Sequence, residues 1–178
     1  MRCEDITKDM ASYCIVSNLQ MTAFPPEERF TMEEILALAE ADHIEYKSFW
    51  EEKQLCGILF YNIGETMLYL FYLAVPPEMR SKGYGAQLLH WLSGMYPDKT
   101  IVGNIEPTGL DAENEYQRIR RYEFYNRNGF HREPFRLFDD SGMYDIIFTG
   151  SAFDEKEYLR LIDELGFGAY HPQLLPVG

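Results

Sequence analysis

Met67-Leu-Tyr-Leu-Phe-Tyr-Leu-Ala-Val75, followed after two prolines by Arg80-Ser-Lys-Gly-Tyr-Gly-Ala86, is the stretch of sequence that decides the fold. The first segment is a continuous apolar run closed by prolines, a pattern typical of a buried strand. After the glycines, leucines recur at helical spacing at positions 88, 89 and 92. They predict an amphipathic helix, so the local order is strand, glycine loop, helix.

The glycine loop has the composition of an anion-binding site. Gly83 and Gly85 lack the Cβ atoms that would keep a phosphate away from the backbone. The first N–H groups of the following helix add donors and the positive end of its dipole, and Arg80 and Lys82 add charge. The loop has neither the Gly-Lys-Ser/Thr ending of a P-loop nor the third glycine of a dinucleotide fold. An ordinary turn between strand and helix remains the alternative.

Length and composition predict one domain over residues 1–178. A chain of 178 residues normally builds a single core. No N-terminal apolar run resembles a signal peptide, and the apolar strand is too short to cross a bilayer, so we expect a cytoplasmic protein without a membrane partner. Three cysteines without a Cys-x-x-Cys pair and four scattered histidines predict neither a disulfide framework nor a metal site.

Charge is distributed unevenly along this acidic chain, whose formal net charge is −13. Residues 80–132 contain eight basic and six acidic side chains, whereas the rest of the chain contains eight and 23. An acidic exterior attracts cationic amines and repels nucleic acid, so we expect no nucleic-acid partner. Solubility alone would also explain this acidic surface.

The remaining patterns predict alternating strands and helices. We expect strands at Tyr13–Val16, 43–51, 55–62, Thr100–Ile105, 131–138 and 143–149, and helices at 31–41, 116–128 and 154–165. Thr31 and Glu34 form a capping-box pattern, and Gly129 is a candidate left-handed cap. This order predicts an α/β protein whose central mixed sheet carries helices on both faces.

Two segments resemble signatures of the GNAT acetyltransferases. Arg80-x-x-Gly83-x-Gly85 is similar to motif A, which in that family holds the pyrophosphate of acetyl-CoA. Phe124-Tyr-Asn-Arg-Asn-Gly-Phe130 resembles the family's helix-ending Tyr-x-x-x-Gly-Phe element. Both occur in the family's order, and the resemblance is strong from about residue 46 to 130. It implies the GNAT fold, with a cofactor-binding core at about 67–130 and C-terminal strands and a helix at 131–178.

The resemblance implies acetyl-CoA as the cofactor and also implies its contacts. The phosphates would lie on Arg80, Ser81, Lys82, Gly83, Tyr84, Gly85 and Ala86, and the pantetheine on the backbone of Leu73, Ala74 and Val75. Arg118 and Arg121 stand where the family commonly has an asparagine and a small residue. This departure puts the packing beside the cofactor in doubt, although Arg121 could also reach a phosphate.

Acetyl transfer to an amine needs a proton acceptor for the amine and a proton donor for the departing thiolate. Tyr125 matches the family tyrosine that contacts the thioester sulfur, and a phenol stays protonated near neutral pH. Glu106, directly after the strand Thr100–Ile105, is the candidate base. It could equally bind the substrate ammonium or pair with an arginine. Tyr72 and Glu27 are weaker candidates.

The segment Phe24-Pro-Pro-Glu-Glu-Arg29 lies where family members vary the loop that closes over the acceptor. Phe24, Glu27, Phe30 and Tyr72 are the candidate contacts of an amine, although such aromatic residues more often fill a core. The resemblance therefore implies acetylation of a small primary amine by direct attack. A homodimer is one option for the assembly. Two alternatives stay open: a non-catalytic acyl-CoA-binding module of the same fold, and an N-acetyltransferase of proteins or peptides.

Overall fold

The computed structural model describes residues 1–139, 142–166 and 172–177, apart from the side chain of Glu27. Eight strands lie within this part of the chain: β1 Arg2–Asp5, β2 Ile44–Glu51, β3 Gln54–Ile63, β4 Met67–Ala74, β5 Thr100–Ile105, β6 His131–Asp139, β7 Gly142–Phe148 and β8 Gln173–Pro176. Five α-helices accompany them: α1 Tyr13–Ala23, α2 Met32–Leu38, α3 Tyr84–Met95, α4 Glu115–Arg127 and α5 Glu155–Leu165. The eight strands form a mixed sheet, which confirms the predicted fold class.

The chain divides into two compact units, and β4 contributes to both. The first unit comprises Met1–Ile63 and Leu70–Pro97, and the second comprises Gly64–Tyr69 and Asp98–Gly178. The start of β4 therefore belongs to the second unit and its end to the first. The assignment of residues 1–178 to one domain stays a prediction.

In the first unit, strands β1 to β4 follow one another in the order β1-β2-β3-β4. β2 and β3 pair antiparallel from Ile44↔Asn62 to Glu51↔Gln54, with an irregularity between Phe49 and Trp50. The helices of this unit bury an apolar stripe each, and these side chains form its core together with the strands: Val16 and Leu19 of α1, Ile35 and Leu38 of α2, and Leu88 and Leu92 of α3.

The strand predicted at Tyr13–Val16 is wrong, because these residues begin helix α1. Val16, Leu19 and Gln20 are the buried residues of α1 and have helical i, i+3, i+4 spacing. The predicted window of four residues is too short to reveal this period. By contrast, the capping box of Thr31 and Glu34 is confirmed at the start of α2.

In the second unit, β5 connects the start of β4 to the C-terminal strands. β4 and β5 pair in parallel from Met67↔Thr100 to Tyr69↔Val102. β7 pairs antiparallel with β5, and β6 lies between β7 and β8. The observed β5 has the predicted bounds, whereas β8 was not predicted.

The turn that enters β4 is held by two charged side chains of the second unit. The Thr66 N–H donates to Glu157 of α5 at 3.0 Å, and the Thr66 hydroxyl donates to the same carboxylate. Lys99 Nζ donates to the carbonyls of Gly64 and Glu65 at 2.7 and 2.8 Å. A Cβ at Gly64 would collide with the Glu157 carboxylate. The start of β4 is therefore positioned by α5.

Candidate active site

The glycine loop of the first unit prepares the N-terminus of α3 for an anion. Gly83 is the N-cap of α3 and has φ +85°, a left-handed conformation that glycine adopts without steric cost. The Gln87 N–H donates to the Gly83 carbonyl at 3.1 Å, which makes it the first donor of the helical ladder. The N–H groups that precede it in the first turn have no intrahelical acceptor. They can therefore donate to a bound phosphate.

Arg80 and Lys82 place positive charge beside this helix end. Both side chains are exposed. Arg80 Nε donates to the Val75 carbonyl at 3.3 Å, and Lys82 Nζ lies 3.7 Å from Met79 Sδ. Since these partners are neutral, the contacts leave the positive charges uncompensated. The predicted phosphate contacts are thus brought together in one loop of the first unit.

Strand β3 packs closely against the end of β4 and against helix α3 at a glycine. A Cβ at Gly57 would lie 2.7 Å from the Ala74 carbonyl oxygen and 2.7 Å from Leu88 Cδ2. Backbone and side chain therefore approach Gly57 more closely than any other residue would allow. Of the predicted pantetheine contacts, Ala74 is buried, whereas Leu73 and Val75 are half-buried.

The predicted acceptor loop is tied to β4 by the hydroxyl of Tyr72. This hydroxyl accepts a hydrogen bond from the Phe30 N–H at 2.8 Å and donates one to the Glu28 carbonyl at 3.0 Å. Burial raises the pKa of Tyr72 above its usual range, and the hydrogen bond from Phe30 opposes that shift only partly. A phenol so engaged is a poor proton acceptor. The side chain of Glu27 lies outside the described residues.

Aromatic contacts and one arginine hold the rest of this loop. The Phe24 ring lies 4.3 Å from the Tyr72 ring, and Phe30 stacks on Phe71 at 5.2 Å between ring centroids. Arg29 donates to the carbonyls of Met21 and Phe24. Phe24, Phe30 and Tyr72, predicted as acceptor contacts, therefore lie together in the first unit.

In the second unit, the end of α4 fixes Tyr125. Gly129 has φ +86°, which confirms the predicted left-handed cap. The Phe130 N–H donates to the Tyr125 carbonyl at 3.1 Å, and the Gly129 N–H donates to the Asn126 carbonyl at 3.1 Å. These two bonds form a Schellman motif, which favours glycine at this position. The Phe130 ring then packs 5.2 Å from the Tyr125 ring.

Tyr125 is half-buried and keeps its proton at neutral pH. Burial raises the pKa of Tyr125 to about 12, and the positive charge of Arg121 opposes this rise. The two residues are one helical turn apart on the same face of α4. The phenol is therefore available as a hydrogen-bond donor at neutral pH.

Glu106, the candidate base, is bound by the N-terminal part of α4. Its carboxylate lies 2.8 Å from Arg118 and 2.7 Å from Arg121, and it accepts a hydrogen bond from Asn114 Nδ2 at 3.0 Å. Burial alone would raise the pKa of Glu106, but the hydrogen bonds from Asn114 and Arg121 and the two positive charges together lower it. The arginine pairing that the sequence left open is therefore present.

The two arginines differ in how much of their surface is available. The side chain of Arg118 is 17% exposed, and it also donates to Asn114 and to the Pro107 carbonyl. The side chain of Arg121 is 43% exposed, and one of its terminal nitrogens contacts Glu106. The role of Arg121 in cofactor binding stays a prediction.

Asp145 of β7 organises a second group of arginines that sequence reasoning missed. This buried carboxylate lies 2.6 Å from Arg136 and 3.1 Å from Arg132. The Arg132 guanidinium also covers the Tyr122 ring at 3.7 Å. Strand pairing between β6 and β7 creates these contacts, and the local sequence carries no sign of them.

The described residues contain neither a metal-binding cluster nor a membrane-spanning helix. Across residues 1–139, 142–166 and 172–177, the structure contains no group of three or more His, Cys, Asp or Glu side chains arranged to hold a metal ion. In that same part of the chain, none of the helices has the length and apolar character needed to span a membrane.

Known proteins provide independent comparisons. The sequence model of the acetyltransferase (GNAT) family matches residues 15–130, whereas a search of curated proteins finds no match. A GNAT-family protein from Bacteroides thetaiotaomicron is 23% identical, with a TM-score of 0.73 over 96% of this chain and 98% of that one. An aminoglycoside 6'-N-acetyltransferase complexed with coenzyme A is 15% identical, with a TM-score of 0.66 over 86% of this chain and 100% of the other.

A third solved structure, the GNAT-like decarboxylase GphF in complex with isobutyryl-CoA, is 15% identical. Its TM-score is 0.64, over 84% of this chain and 99% of its own. At these identities the three structures demonstrate a shared fold, and the family match extends over more than half of the chain. With both of its motifs inside the matched residues, the protein belongs to the GNAT acetyltransferase family.

Proposed function

We propose that the protein transfers the acetyl group of acetyl-CoA to a primary amine of a small molecule by direct attack. The observation that carries this proposal is the loop Arg80–Ala86. It presents first-turn amides and two exposed cations whose contacts are neutral. Two solved structures of the same fold contain coenzyme A or an acyl-CoA, which supports a CoA thioester as the co-substrate.

The cofactor contacts follow from this loop and from the end of β4. The amides of residues 81–86, with Arg80 and Lys82, would bind the diphosphate. The backbone of Leu73, Ala74 and Val75 would pair with the pantetheine. The glycine that caps α3 gives the diphosphate close access to the backbone. This part of the proposal needs only residues of the first unit.

For the chemical step, the amine nitrogen would attack the thioester carbonyl carbon and form a new C–N bond. The C–S bond breaks, and its electron pair leaves on sulfur. Tyr125 would donate a hydrogen bond to the sulfur and pass its proton to the thiolate as the C–S bond breaks. Burial keeps the phenol protonated at neutral pH by raising its pKa, but it also makes the phenol a weaker acid than a thiol, so the transfer goes forward only as the phenol is reprotonated. The proton released by the amine restores the phenol through solvent.

The role of Glu106 is decided by the basicity of its carboxylate. A base that accepts an amine proton works best with a pKa near the working pH, but contacts with Arg118 and Arg121 lower the pKa of Glu106. We therefore favour Glu106 as the residue that holds the two arginines, and we keep its role as base as the alternative. The pH dependence of turnover distinguishes the two roles.

The acceptor is expected to be a cationic amine with an apolar part. Phe24 and Phe30 supply aromatic surface around the loop that Tyr72 fixes, and the chain outside residues 80–132 is strongly acidic. Such an environment attracts ammonium groups. An acetyl-CoA assay across polyamines, arylalkylamines and amino-acid amides would identify the class.

Calorimetric titration with acetyl-CoA tests the binding half of the proposal. Saturable binding is expected, and its absence up to millimolar cofactor would reject the proposal. CoA release across the amine panel tests the catalytic half.

A non-catalytic acyl-CoA-binding module is the second candidate. It is favoured by one observation, the engagement of Glu106 by two arginines. In that case acetyl-CoA would bind but no amine would release CoA.

A further inference from the structure

A hydrogen bond joins the glycine loop to the turn between β2 and β3. The Tyr84 hydroxyl donates to Glu51 Oε2 at 2.6 Å, across 33 positions of sequence. Tyr84 is the first residue of α3 and lies between Gly83 and Gly85, whereas Glu51 is the last residue of β2. Both belong to the first unit. No sequence motif marks this pair.

We infer that Glu51 is a positioning residue for diphosphate binding: through Tyr84, its carboxylate holds the first turn of α3 in the orientation that presents its amides to the cofactor. This inference rests on the proposed function. Glu51 itself would contact neither cofactor nor acceptor.

The location of Tyr84 explains why a tether matters here. Glycine has the largest conformational freedom of all residues, and Tyr84 has one on either side. The amides of this loop must all point toward the ligand. If the free loop samples other orientations, the entropy lost when it is ordered reduces the net binding free energy. The side chain of Tyr84 is the anchor point between the two glycines.

The chemistry of the pair suits a permanent tether. A phenol donating to a carboxylate forms a charge-assisted hydrogen bond, which is shorter and stronger than a neutral one. The hydrogen bond to Glu51 raises the pKa of Tyr84 to about 12, so the donor keeps its proton throughout the physiological range.

The direction in which acetyl-CoA affinity changes when Glu51 is removed distinguishes a positioning role from a purely electrostatic one. Glu51 is an anion close to a site for a polyanion, so charge alone predicts that its removal strengthens acetyl-CoA binding. Positioning predicts that its removal weakens binding despite the lost repulsion. Glu52, the next residue, is also exposed and acidic and thus provides a matched control for charge.

The experiment compares Glu51→Ala, Glu51→Gln, Tyr84→Phe and the control Glu52→Gln by calorimetric titration with acetyl-CoA at constant ionic strength. Glu51→Ala and Tyr84→Phe should each raise Kd about three- to tenfold, the range expected for one hydrogen bond. The variant that combines Glu51→Ala with Tyr84→Phe should bind acetyl-CoA no more weakly than either single variant does. Glu51→Gln keeps an acceptor and should recover part of the affinity, whereas Glu52→Gln should leave Kd unchanged or lower it.

Thermal unfolding without cofactor shows whether each variant is folded, and Tyr84→Phe, which removes a single oxygen atom, serves if Glu51→Ala fails to fold. Unchanged or tighter binding by both Glu51→Ala and Tyr84→Phe would overturn the inference, and so would additive effects in the double variant. If the unsubstituted protein itself binds no acetyl-CoA, the proposed function fails instead.

Discussion

The glycine loop of the first unit and the Glu106 cluster of the second unit both gather positive charge, but their cations have different partners. In the loop, Arg80 and Lys82 are exposed and contact neutral atoms. In the cluster, Arg118 and Arg121 share the carboxylate of Glu106. A cation with neutral partners keeps its full attraction for a ligand anion, whereas a cation paired with a carboxylate is already largely neutralised.

This difference suggests a division of labour within the chain. The loop is suited to binding a polyanion. The cluster is suited to fixing the segment between β5 and α4, the helix that carries Tyr125. Arginine content alone would have made the two regions look equivalent. Four experiments test this contrast.

The largest effect is expected from Tyr125→Phe, which removes the proposed proton donor of the second unit. Turnover should fall about 10²- to 10⁴-fold, the usual contribution of a positioned acid. The dissociation constant of acetyl-CoA, measured by calorimetry, should stay the same, because all of the proposed phosphate contacts belong to the first unit. Undiminished turnover would exclude the acid role and leave the second unit with a structural role only.

The two kinds of cation can be compared directly by substitution. Arg80→Ala and Lys82→Ala should each weaken acetyl-CoA binding about tenfold, the loss expected for one charge-assisted hydrogen bond. Their unfolding free energies should hardly change, since both side chains are exposed.

Arg118→Ala is the matched variant in the second unit, and it should show the opposite pattern. It leaves Glu106 partly buried with one cation fewer, so we expect a loss of about 2 kcal/mol in unfolding free energy and an unchanged cofactor affinity. If Arg118→Ala weakened acetyl-CoA binding as much as Arg80→Ala, the contrast between the regions would disappear.

Gly57→Ala tests the close packing of β3 against the end of β4 and against helix α3. The new methyl group would press against the Ala74 carbonyl and Leu88, so the protein should lose about 1–3 kcal/mol in urea unfolding and bind acetyl-CoA more weakly. Gly94→Ala in α3 is the control, because a Cβ there meets nothing within 4 Å. It should be neutral or stabilising, as alanine favours helix. Equal effects of the two substitutions would contradict the close approach at Gly57.

The smallest effect concerns the response of the cluster to acid. The folded pKa of Glu106 lies below its model-compound value of 4.5, so its contribution to stability is present above that pH and is lost as the pH falls through the folded pKa. Near neutral pH, the unfolding free energy of the unsubstituted protein should be about 1 kcal/mol larger than that of Glu106→Gln. The difference should shrink as the pH falls below 4.5. Urea unfolding of both proteins measures it, and a difference that grows in acid would refute the assignment.

Local patterns predicted the elements around the glycine loop because several signals coincide there. The apolar run of β4, the prolines and the helix-capping glycine each specify the backbone independently of distant residues. Gly129 is similar, since a glycine that follows a helical segment commonly adopts the left-handed cap conformation. The strands β1 and β8 were not predicted. Each has only four residues and is stabilised by pairing with a strand that is distant in the sequence.

The side-chain contacts of the candidate site were less predictable. Arg118 and Arg121 share a helical face, so a common partner could be foreseen, and Glu106 was one of the acids within reach. The hydrogen bonds between the Tyr72 hydroxyl and the acceptor loop could not be foreseen, because its partners are 42 and 44 positions away in the sequence. Hydrogen bonds of this range depend on the tertiary fold, which a local pattern does not encode.

The hydrogen bonds of Glu157 and Lys99 to the turn before β4 limit where the protein can be shortened. The family match ends at residue 130, yet Glu157 satisfies the Thr66 amide from beyond that boundary. A truncation after Phe130 would leave this amide without its acceptor and would free the beginning of the central strand to fray. Because that truncation also removes β6 to β8, the contribution of the last helix is better isolated by Glu157→Ala, in which faster amide hydrogen exchange at Thr66 would show that α5 stabilises the start of the central strand.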